Sequence, residues 1–270
     1  MTSFPPAAYV HSEEPGSAAR RFAELLRALV VRELKGRYRR SLLGPLWAVL
    51  QPLTYMALFV ALRRMLGLAS AATSDVIVLY SAMVPWTFFS GAVAHAAGSV
   101  LSNAPLVKKM AVAREVFPAA AVAVALVDFL IASLVLVGMM LWYRVPVGGS
   151  LLWLAVLAPL LSLLALGLGL GAVALGTLKQ DVSFAVPFLM QFWLFATPIL
   201  YPLERVPEAW RGVYVLNPMV GLIQGFQRVL TEGRAPDPAL LGISAGMTLV
   251  VWALAWPLFR HLSQYFADVL

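Results

Sequence analysis

The stretch "RELKGRYRRSLLGPLWAVLQP", residues 32–52, sets five positive charges (Arg32, Lys35, Arg37, Arg39 and Arg40) into nine positions and then turns apolar within two residues. A basic cluster set against the start of an apolar run holds the entrance of a membrane span at an anionic leaflet, where each charge contributes about 1 kcal/mol. Leu43 and the apolar residues after it begin that span. The fold therefore follows from how many such runs the rest of the chain contains.

Working outward, the composition agrees. Of 270 residues, 61% are hydrophobic and 12% are charged. Soluble domains carry roughly 25% charged residues. The net charge of +7 does not point to nucleic acid, because in a membrane chain basic excess is topological. Cysteine is absent, which excludes disulfides, thiolate metal sites and cysteine nucleophiles.

Residues 1–17 hold three prolines and two acids with no apolar run, and read as a disordered cytoplasmic tail. Residues 18–42 follow as an amphipathic interfacial helix. Phe22, Leu25, Leu26, Leu29 and Val30 line one face, with Arg20, Glu24 and Arg27 opposite. Residues 43–270 form a domain with six runs long enough to cross roughly 30 Å of hydrocarbon. They lie at Leu43–Leu62, Val76–Ala97, Pro118–Leu141, Leu151–Gly176, Phe184–Leu203 and Ala239–Phe259. On this layout 13 Lys and Arg fall on one side and 7 on the other. The positive-inside rule then makes both termini cytoplasmic.

Residues 204–233 break the pattern. Met219, Leu222, Ile223, Phe226, Val229 and Leu230 make a helical apolar stripe too short to span. Two readings stay open: a helix dipping partway in under cover of protein, or an ordinary interfacial helix.

Sites of chemistry are few. The chain has no G-x-x-x-x-G-K-[ST] loop for nucleotide phosphates. The Gly167, Gly169, Gly171 run lies inside a span, where Gly167 and Gly171 form a small-residue face for a neighbouring helix. The three histidines, His11, His95 and His261, are scattered and compose no metal site or triad. Asp128 is the one acid deep in a span. It reads as a structural, hydrogen-bonded carboxyl with no buried base to pair it, or else as a proton relay.

Trp47, Gln51, Tyr55 and Phe59 recur at i+4 on the first span, and Phe184, Phe188, Phe192 and Phe195 form a similar stripe on the fifth, followed by Tyr201. Flat rings on such a stripe suit the C–H faces of sugars; the alternative is packing or lipid contact. The loop "NAPLVKKMAVAREVFP", residues 103–118, is a short basic amphipathic segment joined to two spans, a handle a partner can push.

Taken in order, "RELKGRYRRSLLGPLWAVLQPL", "NAPLVKKMAVAREVFP", "TPILYPLERVPEAW", "LNPMVGLIQGFQRVL" and "FADVL" resemble the ABC-2 type permease subunits of polysaccharide exporters. The resemblance implies an all-α integral membrane fold of six transmembrane helices, with an N-terminal amphipathic helix and short re-entrant helices between spans 5 and 6. It implies a homodimer served by two ATP-binding-cassette ATPase subunits, which bind the ATP and magnesium, so this chain itself carries no cofactor. By position, Asn103, Leu106, Lys108, Lys109 and Arg114 correspond to a coupling helix. Arg32, Lys35, Arg37, Arg39 and Arg40 correspond to a cytoplasmic gate and interface. Pro198, Tyr201, Pro207, Asn217 and Pro218 correspond to outer turn elements. The loop "TLKQDV", Thr177–Val182, departs from the family's basic pair before Arg-Asp-Val.

The expected function is export of a lipid-linked, O-antigen-like polysaccharide across the bacterial inner membrane. The substrate pathway runs along Trp47, Gln51, Tyr55, Phe59, Phe188, Phe192, Phe195 and Tyr201. The rivals are export of a drug or small lipid, and a proton-coupled transporter centred on Asp128.

Overall fold

A computed structural model describes residues 15–39, 41–67, 74–109, 113–145, 148–179 and 181–266. The tail through residue 14, Arg40 and all but the first residue of the "FADVL" stretch lie outside the described residues, as does the side chain of Lys109. Ten α-helices follow in order: α1 Pro15–Arg39, α2 Trp47–Met65, α3 Ser74–Ser102, α4 Ala104–Lys109, α5 Val116–Trp142, α6 Leu154–Leu178, α7 Asp181–Phe195, α8 Glu208–Val215, α9 Pro218–Gln227 and α10 Pro238–Ser263. Among the described residues there is no strand. Five helical segments are long and apolar enough to cross a membrane: those containing α2, α3, α5, α6 and α10.

The centre of the bundle is α3. Between Asp75 and Ser102 it carries no Lys, Arg or Glu, and its second half is rich in Gly and Ala. A helix apolar all round buries every face. Accordingly α3 packs against α2, α5, α6, α7 and α9. The approach of α6 is closest at Gly169, where a Cβ would stand 2.6 Å from that of Ala96. Gly167 and Gly171 face α10, against Trp252 and Ala255, so the small-residue face has its expected partner.

The amphipathic helix α1 differs from the sequence expectation in what covers it. Its Leu29 is buried, and Phe22, Leu25, Leu26 and Val30 pack onto a cluster that includes Val107, Val116, Phe117 and Phe259. That face is laid in large part on protein rather than lipid. The reason is that α3, α5 and α10 extend past their expected ends and, with α4, present an apolar platform.

The expected fifth span, Phe184–Leu203, keeps its place but not its bounds. Helix α7, Asp181–Phe195, has 15 residues, about 22 Å at 1.5 Å per residue, and the turn after it carries the chain on to the Val78 end of α3. Pro198 disfavours helical geometry at Thr197 and supplies no N–H. The carbonyls left open at this end are met by side chains instead. Tyr201 Oη donates to the Phe195 carbonyl at 2.9 Å, and Asn217 Nδ2 donates to that of Ala196 at 2.9 Å.

Between α7 and α10 the chain re-enters the bundle. Eight of the ten residues of α9 are buried, whereas an interfacial helix would leave one face uncovered. The dipping reading is therefore the one the fold selects. Trp193, beside the start of α9, packs edge-on to Phe89 at 5.4 Å, and Gln227 at its end donates to the Val78 carbonyl at 3.3 Å. Phe89 and Val78 lie eleven residues apart on α3, about 16 Å. So α9 climbs alongside α3, through roughly its own length. A π-helical turn, Arg228–Glu232, and Gly233 in left-handed conformation (φ 66°) then lead the chain into α10.

Candidate functional site

The interior acid has partners. Asp128 stands twelve residues into α5, about 18 Å along it. Arg37, from the last turn of α1, places Nη1 2.5 Å from Asp128 Oδ2, and Tyr38 Oη donates to Oδ1. This corrects the expectation that Asp128 lacks a base: the base comes from α1, 91 residues away in sequence. Ser133, five residues further along α5, spends its hydroxyl on the Phe129 carbonyl. Burial, then the hydrogen bond to Asp128 and its negative charge, pushes the Tyr38 phenol up to about 12. Tyr38 thus remains a neutral donor at physiological pH. A hydrogen-bonded carboxyl beside a guanidinium ties the two helices together as a clamp.

The clamp borders a cavity of about 270 Å³ between α1, α2, α3 and α5, lined among others by Trp47, Gln51, Thr87, His95 and Phe129. His95 Nδ1 lies 2.6 Å from the Gly91 carbonyl on its own helix. A second cavity of about 220 Å³ touches the same histidine and continues to Arg32, Glu33 and Asn103. Arg32 donates to Asn103 Oδ1, whose amide donates to the Ser99 carbonyl at 2.8 Å. Burial raises the pKa of Glu33, opposed by Arg32, Arg37 and Asn103. A polar seam therefore runs between α1 and α3 from the end of α3 to the start of α2.

The ring stripes are only partly brought together. On α7, Phe184, Phe188, Phe192 and Phe195 are exposed, with the Phe188 and Phe192 rings 4.7 Å apart, edge to face. On α2, Trp47 and Gln51 are exposed and Tyr55 is half-buried. Phe59, expected on the pathway, is a correction: it is 3% exposed and packs against Phe195 at 6.5 Å. The i+4 spacing drifts around the helix by 40° a step, so the last ring turns into the core. Tyr201 is half-buried and shares a 2.6 Å hydrogen bond with Tyr214 on α8.

Of the expected coupling residues, Asn103 is buried in the seam, Leu106 packs beneath α4, and Lys108 is exposed. The Arg114 guanidinium lies 6.0 Å from the Phe266 ring. Residues 110–112 lie outside the described residues. Of the basic cluster, Arg32, Lys35 and Arg39 are exposed, Arg32 also bonding Asn103, while Arg37 is half-buried against Asp128.

One contributor escaped sequence reasoning, and another, Asn217, was expected as an outer turn element without its role. Tyr38 sits inside the quoted basic cluster but shows its role only with Asp128 in place. Asn217 is a hub: besides Ala196 it accepts from Trp193 Nε1 at 2.9 Å and caps α9 at the Met219 N–H. Its signal was an Asn directly before a Pro that opens a helix.

A bundle of full spans, one short helix and a buried re-entrant helix, with a polar seam on one side, defines a multi-pass membrane transport protein. The model for ABC-2 type transporters matches residues 24–231, and the chain belongs to that family. Similar proteins include the O-antigen export system permease protein RfbA of Myxococcus xanthus, 31% identical over 251 residues covering 90% of this chain and 94% of the relative. The Klebsiella pneumoniae protein of the same name is 24% identical, over 92% and 95% of the two chains. The polysialic acid transport protein KpsM of Escherichia coli is 25% identical, over 86% and 91%.

Proposed function

We propose that this chain is the membrane subunit of an ATP-driven exporter that moves a lipid-linked, O-antigen-like polysaccharide across the bacterial inner membrane. Two copies form the conduit. Two separate ATP-binding-cassette subunits bind ATP and magnesium and act on the chain through α4, where Lys108 is exposed. Both termini are cytoplasmic. The relatives' names, O-antigen export permease and polysialic acid transport protein, support the polysaccharide, and the shared length supports a common architecture.

The observation that carries the reading is the uncovered row of rings on α7, which meets α2 at Phe59 and Phe195, together with exposed Trp47 and Gln51 on α2. Stacking on an aromatic face contributes about 1–3 kcal/mol per unit in the analogous nucleic-acid case. Several such rings in series guide a polymer without holding any one sugar.

Trp47→Ala combined with Phe192→Ala is expected to cut surface polysaccharide several-fold, while assembly with the ATPase and basal ATP hydrolysis persist. Phe192→Tyr keeps a ring and is expected to export normally. Normal export by the assembled double-alanine protein would remove the rings from the pathway.

A further inference from the structure

We propose that a second polar cavity, at the end of the bundle away from α4, is a saccharide-binding subsite, taking sugar hydroxyls where the ring row takes sugar faces. The inference rests on the glycan reading above. The cavity measures about 360 Å³, within the range of roughly 300–1,000 Å³ usual for ligand sites. It lies at the start of α3, marked by Val78, beside the turn that follows α7 and the end of α9. By the positive-inside assignment this is the exit side.

Its wall holds Glu204, Gln224, Gln227, Arg228, Glu232 and Arg234. Carboxylates accept, guanidiniums donate and amides do both, which is the mixture that vicinal hydroxyls require. The charges are of both signs, so the site has no bias toward an anion. Two walls are braced: Gln227 is tied to the Val78 carbonyl, and Arg228 pairs with Asp237 at 3.7 Å. At the inner wall Gln224 Oε1 is buried with no hydrogen-bond partner among the described residues. Buried polar atoms are nearly always satisfied, and an exception calls for an explanation, of which a water or ligand in the cavity is one. A rotation of that amide offers its oxygen to a hydroxyl in the cavity. The π-helical turn Arg228–Glu232 sets the neighbouring side chains, and such turns are frequent at functional sites.

The test uses intact cells that make the polymer, fed tritiated glucose, with a photo-crosslinking amino acid placed at Arg234 or, separately, at Gln51. Label captured at both positions supports the subsite. Label at Gln51 and none at Arg234 overturns it and leaves the export reading standing. Label at neither overturns the export reading and the subsite with it. Gln224→Leu, made in the Arg234 crosslinking background, is expected to keep or raise the thermal midpoint, because it removes an unpartnered oxygen, and to lower the label about fivefold. Undiminished label in that well-folded variant overturns the role of the cavity.

Discussion

At the scale of single residues the account turns on Asp128. A carboxyl this deep in a span is costly unless paired, and the pair here joins two helices distant in sequence. Removing one member leaves the other half-buried and unmatched, so each single change does more harm than the pair is worth. Arg37→Ala and Asp128→Ala are each expected to lower the midpoint of the detergent-solubilised protein, and the double variant to lose less than their sum. The coupling should be about 1–3 kcal/mol by double-mutant cycle. Strict additivity would show that the clamp is incidental. Asp128 was legible in the sequence as the one acid in a span, and Arg37 as part of a basic cluster. Their meeting was not, because neither periodicity nor charge counting says which face of an amphipathic helix turns toward which span. The same blindness put Phe59 on the pathway: four-residue spacing marks a stripe but not where that stripe goes under cover.

At the scale of elements, the long spans were legible because about twenty apolar residues in a row have no other use. Their ends moved by a few residues, as α3 and α5 run on past the hydrocarbon to meet α1. The early end of α7 has a physical cause. Residues 184–203 are apolar enough to span, but Pro198 together with the Tyr201 and Asn217 side chains offers the helix end a better place to stop. Hydropathy averages over such an ending. Asn217 binds the end of α7 to the start of α9, so Asn217→Ala is expected to destabilise by about 2–3 kcal/mol, from one lost cap and the unmet partners left behind. The Trp193 indole, released from Asn217, should report the change as a red-shifted fluorescence. An unshifted spectrum with an unchanged midpoint would mean that the re-entrant turn is held by packing alone. Gly221 offers a steric check of the same element. A Cβ there would lie 2.3 Å from the Leu240 carbonyl, so Gly221→Ala is expected to cost about 1–3 kcal/mol through displacement of α9 from α10.

At the scale of the whole molecule, the polar features sort by end. The Arg37–Asp128 clamp, the seam along α1 and exposed Lys108 gather toward one end, and the cavity around Arg228 lies at the other. On the proposed orientation, from the distribution of basic residues, the first end is the cytoplasmic one. The natural absence of cysteine makes the assignment easy to check. With a membrane-impermeant maleimide applied from outside, Arg205→Cys is expected to label and Lys35→Cys is not; the reverse pattern would invert the orientation and the direction of transport. The fold class was legible from composition alone, and the family from short motifs kept in order along the chain. The sugar path was less so, because the rings that matter are those left uncovered after packing. The central claim is that this chain lets a polymer made inside reach the outside. It is tested most directly by deleting the chain from its own bacterium and measuring polymer at the surface and lipid-linked polymer within. The account predicts that surface polymer disappears while the lipid-linked form accumulates inside, and that both recover when the chain is restored. Unchanged surface polymer in the deletion strain would contradict it.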